Sequence, residues 1–202
     1  IYKNIMEALY KIIFLFLLVV YTAIRMYYTK DYFKSKKTKA RNKFMEKALT
    51  YLVAVGMILF PLIWIFSDFF VAFDINMPLV LRVVGVVIST FSLVFFAYVH
   101  KTLGKNWSPI LEIREGHNLI TSGPYKWIRH PMYTQVWLWA IAQFLIIANW
   151  IAGLSGIFTW TILYFLRIPQ EEKMMEQQFG QKYVMYKKIT GRILPRLKKI
   201  RK

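Results

Sequence analysis

The side chains best suited to chemistry lie between Gly123 and Tyr133, directly before a long apolar run without formal charge. This stretch places a guanidinium on Arg129, an imidazole on His130, and phenol rings on Tyr125 and Tyr133, together with two prolines. Guanidinium groups bind anions, imidazoles exchange protons near neutral pH, and aromatic faces attract cations. Lipid alone gives no reason for these groups to collect at one point. The cluster therefore predicts a polar site at the cytoplasmic end of a membrane protein.

A second group of polar residues follows the apolar run. Arg167 stands at the end of that run, where arginine commonly extends to the lipid headgroups. Pro169 suits the first turn of a new helix and Gly180 suits its end, so we expect a short cytoplasmic helix between them. Glu171 begins a four-residue repeat, which predicts that its carboxylate faces the protein. The repeat continues through Met175, Phe179 and Tyr183.

Helix ends give the remaining polar residues their expected roles. Pro131 suits the first position of a helix, so His130 is expected near free backbone N–H groups that could receive an anion. Glu172 lies in the first turn of the helix expected after Pro169, where an acid stabilises the helix dipole. His100, at the end of an apolar segment, is expected to be an interfacial anchor.

Several common site types are absent from the sequence. None of the nine glycines forms the GxGxxG of a Rossmann dinucleotide site or the GxxxxGK[ST] of a phosphate-binding loop. The chain has no cysteine, three scattered histidines and no HExxH motif, so we expect no metal site.

Composition indicates an integral membrane protein. Of the 202 residues, 57% are hydrophobic, and the mean hydropathy of +0.38 is too high for a soluble domain of this size. The formal charge of +18 lies in blocks between apolar segments rather than along one face. Anionic lipid headgroups, rather than nucleic acid, are therefore the expected counter-charge.

The apolar segments predict an all-α membrane protein with five spanning helices. Residues 8–27, 48–67 and 79–99 each approach the roughly 20 apolar residues needed for one span. The uncharged run 133–166 breaks near Asn149-Trp150 and predicts a hairpin of two shorter helices, followed by a cytoplasmic helical segment. Pro61 is expected to kink the second span. We expect one domain over residues 1–202, with three spanning helices in 1–99 and the functional region in 100–202.

The distribution of cations predicts the orientation in the membrane. Loop 28–47 carries eight Lys/Arg, whereas loop 67–78 carries none and holds two acids. Loop 100–133 carries five Lys/Arg, and the chain from Arg167 onward carries eleven. Positively charged loops stay in the cytoplasm, so we expect the N-terminus outside, and the C-terminus and the site inside.

The order of the motifs is similar to that of one membrane enzyme family. The chain reads GHNLITSGPY over residues 116–125 and RHPMY over residues 129–133, and the uncharged hairpin follows. Arg167, Glu171-Glu172, Phe179-Gly180, Tyr183 and Tyr186 come next in that order. Together, over about residues 106–195, these segments resemble the isoprenylcysteine carboxyl methyltransferase family.

The resemblance implies an enzyme that transfers a methyl group from S-adenosylmethionine to the carboxylate of a C-terminal isoprenylated cysteine, leaving S-adenosylhomocysteine. It implies a lipid bilayer and a prenylated or similar lipid-like acceptor as partners, and no nucleic acid. Arg167 matches the catalytic arginine that binds the substrate carboxylate. The residues implied to enclose the cofactor are Glu112, His117, Asn118, Leu119, Ile120, Tyr125, His130, Pro131, Met132, Tyr133 and Glu171.

The residue types suit the implied cofactor and reaction. S-Adenosylmethionine carries a sulfonium, an ammonium and a carboxylate, which tyrosine faces, one acid and helix N-terminal N–H groups complement. An acceptor carboxylate is already ionised near neutral pH, so its methylation needs no general base. Catalysis would then depend on alignment, with Arg167 binding the acceptor bidentately.

Three other interpretations stay open. Phospholipid N-methyltransferases share much of the C-terminal pattern, but their amine acceptor needs a base, for which His130 and Glu112 are candidates. Membrane sterol reductases carry a similar Arg-His-Pro-Xaa-Tyr segment and use a nicotinamide cofactor. A noncatalytic membrane scaffold would use the same polar residues only as interfacial anchors.

Overall fold

A computed structural model describes residues 2–30, 43–104 and 118–196. Within these ranges the chain is nearly all helical and contains no β-strand, only two isolated bridges. The helices are α1 (Tyr2–Thr29), α2 (Lys43–Ala54), a π-helix (Val55–Leu59), α3 (Phe60–Phe66), α4 (Leu79–Leu103), α5 (Pro131–Ile147), α6 (Trp150–Phe179) and α7 (Gln181–Ile189). Short 3₁₀ turns lie at Val71–Phe73 and Gly123–Lys126.

Four of the described helical stretches have the length and apolar composition needed to cross a membrane. They are Asn4–Thr29, Phe44–Phe66, Leu79–Leu103 and Trp150–Phe179. They include the three amino-terminal segments predicted from the sequence and the second half of the predicted hairpin. The first half forms the shorter apolar helix Pro131–Ile147. The architecture is that of a multi-pass membrane protein.

The short helix α5 is the centre of the bundle. Trp139, Ala140, Ala142 and Ile146 on it are all buried. Its two glutamines are fully buried as well, and Gln135 Nε2 donates to Ser92 Oγ on α4 at 2.9 Å. Because α1, α4 and α6 all pack against α5, this helix is enclosed mainly by protein. The site that begins at its first residue is therefore built on a rigid element.

The predicted break between α5 and α6 is confirmed. Ala148 ends α5 with a left-handed backbone (φ 51°), and α6 begins at Trp150. Between them, the Asn149 side chain accepts hydrogen bonds from the backbone N–H groups of Ile151 and Ala152, which caps α6. The same side chain donates to Asp74 Oδ1 at 2.8 Å. The turn is thus fixed to the segment that joins α3 and α4.

The disturbance predicted at Pro61 takes the form of the π-helix that precedes it. The N–H of Phe60 donates to Val55 O, one residue farther back than in an α-helix, and the proline nitrogen carries no hydrogen. The carbonyl of Gly56 therefore has neither Phe60 nor Pro61 as a donor. Gln143 Nε2 on α5 and Ser155 Oγ on α6 donate to it instead, at 3.0 and 2.6 Å.

The helix that was expected to start at Pro169 is not a separate element. Helix α6 continues without interruption from Trp150 to Phe179, with Pro169 inside it. Pro169 lies on the exposed side of α6, where solvent can satisfy the carbonyl that loses its donor, while Ile168 and Glu172 are buried on the other side. Packing of that side outweighs the cost of the proline. The predicted end at Gly180 (φ 53°) is confirmed.

Gly56→Ala is expected to destabilise the bundle. An added Cβ would lie 2.3 Å from Thr159 Oγ1 and 2.6 Å from the backbone oxygen of Ser155, so the π-helix and α6 would have to separate. Overpacking of this kind typically costs about 1 to 3 kcal/mol. Thermal unfolding in detergent, followed by tryptophan fluorescence, measures the effect. The control Val87→Ala, at an exposed position of α4, should change the midpoint little, and equal midpoints for both variants would contradict close packing at Gly56.

Candidate active site

A cavity of about 460 Å³ lies where α5 begins and α6 leaves the bundle. Nine of the residues singled out from the sequence line it: Asn118, Leu119, Ile120, Tyr125, His130, Met132, Tyr133, Arg167 and Glu171. Pro131 is buried beside them as the first residue of α5. Glu112 and His117 lie outside the described residues. Residues from both ends of the uncharged hairpin are therefore gathered around one space.

Glu171 is the carboxylate of this cavity. Tyr133 Oη donates to its Oε2 at 2.6 Å, and His130 Nδ1 lies 3.3 Å from its Oε1. His130 precedes α5 and Tyr133 lies in its first turn, so the start of α5 holds the acid that α6 supplies. The inward orientation predicted for Glu171 is what the structure shows, with a side chain that is 25% exposed.

His130 lies between two acids. Its Nδ1 faces Glu171, and its Nε2 lies 3.4 Å from Glu172 Oε1. Burial alone would lower the pKa of His130, but hydrogen bonds and charge interactions with the two carboxylates outweigh burial and raise it above its ordinary value of 6.5. The imidazolium form, which donates from both nitrogens, is therefore favoured at this position.

Glu172 was expected to stabilise a helix dipole, and that interpretation is wrong. It lies well inside α6 and only 5% of the residue is exposed. Arg129 Nη2 and Nε donate to its Oε1 at 3.0 and 3.1 Å, and Arg192 Nη2 donates to its Oε2 at 3.0 Å. A buried carboxylate needs such partners because removal from water is costly. Glu172 thus joins α6, the start of α5 and the segment after α7.

The segment after α7 lies alongside the residues that precede α5. Backbone N–H groups of Arg129 and His130 donate to the carbonyls of Gly191 and Arg192 at 2.8 and 3.0 Å, and Gly191 N–H donates to Trp127 O at 3.0 Å. Arg129 Nη1 also donates to Thr190 O at 2.6 Å. We call residues 190–193 the strap, because they fix the backbone of the Arg-His-Pro motif from outside.

Arg167 lies at the boundary between the polar and apolar parts of the cavity. Its side chain is 13% exposed, and its Nε lies 3.5 Å from Oε2 of Glu46, a buried residue in the first turn of α2. Glu46 had no local signal in the sequence, because an acid at a helix start is ordinary. The contact gives α2 a direct role in orienting the arginine.

Tyrosines outside α5 also line the cavity. Tyr186 Oη on α7 donates to the backbone oxygen of Tyr125 at 2.5 Å, and both residues line the cavity with Tyr183. Burial raises the pKa of Tyr125 well above its ordinary value, so its phenol stays neutral. The Tyr-Xaa-Xaa-Tyr spacing in α7 places both of its rings on the inward face.

The amino-terminal helices contribute residues that sequence reasoning missed. Tyr21 and Arg25 on α1 and His100 on α4 line the same cavity. His100 was expected to be an interfacial anchor; it is 1% exposed and stacks on Tyr28 with centroids 5.3 Å apart. The aromatic neighbours explain its burial. Only a tertiary arrangement, not a local pattern, identifies these residues.

The inner part of the cavity is apolar. Leu18, Met57, Trp139, Trp160 and Leu163 form its walls. With Glu171 and His130 at the other end and Arg167 between the two parts, the space suits an amphipathic ligand or two ligands of opposite character. Within the described residues, no group of three side chains that could hold a metal ion is found.

Residues 83–177 match the model of the Isoprenylcysteine carboxyl methyltransferase (ICMT) family. The family resemblance inferred from the sequence is confirmed. The matched range contains the start of α5, the hairpin, Arg167 and both glutamates.

Named relatives agree with this match. Protein-S-isoprenylcysteine O-methyltransferase from Homo sapiens is 33% identical over 102 residues, which cover 50% of this chain and 36% of the human protein. Protein-S-isoprenylcysteine O-methyltransferase B from Arabidopsis thaliana is 33% identical over 88 residues, 42% of this chain and 44% of the plant protein. The chain thus matches less than half the length of either relative.

A solved structure supports the fold. The eukaryotic intramembrane Ras methyltransferase ICMT superposes with a TM-score of 0.51, covering 79% of this chain and 54% of that protein. Sequence identity is 21%, so the likeness concerns the fold. It extends beyond the range of the family model and includes part of the amino-terminal helices.

Glu172→Gln is expected to lower the free energy of unfolding by about 3 kcal/mol, because it leaves Arg129, whose side chain is 9% exposed, without its charge partner. The matched control is Glu176→Gln on the same helix. Glu176 pairs with Lys187 at 2.6 Å, but its side chain is 41% exposed, so its loss should cost less than about 1 kcal/mol. Chemical denaturation in detergent measures both variants. If the two variants lose similar amounts of unfolding free energy, Glu172 has no special role in stability.

The raised pKa of His130 predicts a pH-dependent contribution to stability. The protonated form is favoured in the folded state, so its contribution is fully present below pH 6.5 and is lost as pH rises through the raised pKa. The difference in unfolding free energy between the parent and His130→Gln should therefore be larger at acidic than at alkaline pH. Unfolding titrations across this range measure it. A difference independent of pH would show that His130 is not held as a cation.

Proposed function

We propose that this protein transfers a methyl group from S-adenosylmethionine to the carboxylate of a lipid-like acceptor, most specifically a C-terminal isoprenylated cysteine. The arrangement of charged groups in the cavity supports this proposal most directly. It places the acid Glu171 and the cation Arg167 on one helix face, four residues apart, above an apolar chamber. A cationic donor and an anionic, lipid-tailed acceptor would each find their complement there.

The donor set fits S-adenosylmethionine. Glu171, with Tyr133 and His130 beside it, offers a carboxylate for an ammonium group, and the faces of Tyr125 and Tyr133 suit a sulfonium. We assign to this pocket Asn118, Leu119, Ile120, Tyr125, His130, Pro131, Met132, Tyr133 and Glu171. When bound, the cofactor supplies an electrophilic methyl group. The chain's own residues orient it and exclude water.

Arg167 would hold the acceptor. A guanidinium binds a carboxylate through two parallel hydrogen bonds, which fixes both the position and the plane of the attacking oxygens. Glu46, 3.5 Å from Nε, would keep the guanidinium turned toward the cavity. The carboxylate is already ionised at neutral pH, so no side chain has to remove a proton. His130, which the two glutamates favour as a cation, is poorly placed to act as a base.

The membrane arrangement follows from the same proposal. We infer that α5 crosses the bilayer as the fifth span, with local thinning to suit its 17 residues, and that residues 1–202 form one domain. The cationic loops support an orientation with the N-terminal end of α1 outside and with the cavity and the C-terminal helix in the cytoplasm. The cofactor would then enter from the cytosol and the lipid tail from the bilayer. The names of the matched relatives support this acceptor.

Separate variants should uncouple the two ligands. Glu171→Gln should weaken S-adenosylmethionine binding by about tenfold to a hundredfold, since a charge-assisted contact is lost. Arg167→Lys should leave that affinity nearly unchanged but raise the KM for a prenylated cysteine by about tenfold or more, because a point charge replaces the bidentate contact. Calorimetry and a methyl-transfer assay measure the two effects.

Glu176→Gln is the control for both assays, because Glu176 is not among the residues that line the cavity. If the intact protein does not bind S-adenosylmethionine, the methyltransferase proposal fails. If Arg167→Lys turns over the acceptor like the parent protein, the arginine does not bind it. A rate that instead rises as an amine headgroup loses its proton would indicate a phospholipid N-methyltransferase.

A further inference from the structure

Large apolar side chains are exposed next to the strap, outside the candidate membrane spans. Trp127 is 56% exposed, Met185 63%, Ile189 75% and Leu194 69%. Lys126 and Lys188, also exposed, lie among them in the sequence. We call these six residues the interfacial surface. Four large apolar side chains are rarely exposed together to water. Their exposure therefore indicates that a membrane or another molecule covers them.

The backbone holds these residues close together. Backbone hydrogen bonds join Trp127, Arg129 and His130 to the strap, with Gly191 N–H donating to Trp127 O at 3.0 Å. Ile189 is the last residue of α7, two positions before Gly191, and Met185 lies one turn earlier on the same side. The opposite side of α7 carries the buried Tyr183 and Tyr186. Helix α7 therefore presents one face to the cavity, and its other face is exposed in the described part of the protein.

The height of the interfacial surface in the membrane follows from the proposed fifth span. Thr134, in the first turn of α5, donates its Oγ1 hydrogen to Ile193 O at 2.6 Å, so the strap and that turn are at the same height. The 17 residues of α5 span roughly 25 Å, slightly less than a hydrocarbon core of roughly 30 Å. With α5 as the fifth span proposed above and the bilayer thinned to match it, the first turn of α5 and the strap beside it lie in the headgroup layer.

Charge identifies the kind of lipid. Residues 181–196 contain five Lys/Arg and no Asp or Glu. Lys187 and Arg192 pair with Glu176 and Glu172 of α6, and the exposed cations Lys182, Lys188 and Arg196 remain. Lys126 Nζ lies 5.8 Å from the ring centre of Trp127, which gives an aromatic and cationic pair of the type found at membrane surfaces. Basic segments beside apolar anchors bind anionic headgroups.

We propose that the interfacial surface inserts into the headgroup layer of an anionic leaflet, with acidic phospholipids bound by Lys126 and Lys188. This contact is independent of the proposed methyl transfer and is tested without it.

The absence of cysteine from the sequence allows a direct test. Ile189→Cys and, separately, Met185→Cys are labelled with an environment-sensitive fluorophore and placed in nanodiscs of phosphatidylcholine alone or with phosphatidylglycerol added. The control is Gln178→Cys, which is exposed and lies roughly 42 Å along α6 from Trp150. Anionic lipid should shift the emission of both test labels to shorter wavelength, and nitroxide lipids should quench them. The control label should change in neither respect.

A charge-reversal variant tests whether Lys126 and Lys188 bind the acidic phospholipid. Lys126→Glu combined with Lys188→Glu should remove the spectral response to phosphatidylglycerol at position 189. Labels at 185 and 189 that are quenched by aqueous iodide and not by nitroxide lipids would overturn the proposal. So would a response that is equal in neutral and anionic nanodiscs, or one produced only by an added acidic polypeptide.

Discussion

The structure depends on the burial of two adjacent carboxylates at the point where α6 leaves the bundle. Glu171 and Glu172 repel each other and lose hydration, so each needs its own partners. Tyr133 and one nitrogen of His130 meet Glu171, while Arg129, Arg192 and the other nitrogen of His130 meet Glu172. These contacts fix the relative positions of the start of α5, the end of α6 and the strap. Glu171 faces the cavity, and Glu172 joins the segments around the cavity through Arg129 and Arg192.

From this constraint follows a division of the cavity into ends with different chemistry. The acid, the imidazole and the phenols lie at one end, Arg167 stands at the boundary, and aromatic and aliphatic side chains of α1, α5 and α6 line the other end. A cationic ligand and an anionic, lipid-tailed ligand would therefore bind at different ends of the cavity before any reaction occurs. Alignment of this kind can account for a large part of a methyl-transfer rate without acid or base catalysis. The proposed reaction needs no more from these residues.

Much of the fold and part of the site could be predicted from the sequence, because some of their causes are local. Apolar segment length predicted the spanning helices, and the helix breaks at Asn149 and Gly180 were visible in the sequence. The motif order predicted that His130, Tyr133 and Glu171 share one space. The continuation of α6 through Pro169 could not be predicted, because burial of Ile168 and Glu172 on the other side of the helix decides it. The roles of Glu46 and His100 depend on contacts between distant segments, which leave no periodicity or motif in the chain.

The most direct measurement of the central claim follows a labelled methyl group. The purified protein in a bilayer receives labelled S-adenosylmethionine and a prenylated cysteine peptide that ends in a free carboxylate or, as the matched control, in an amide. Label is expected to enter only the free-carboxylate peptide, as an ester that base releases as methanol. Label on both peptides, label on phosphatidylethanolamine, or no transfer to either would contradict it.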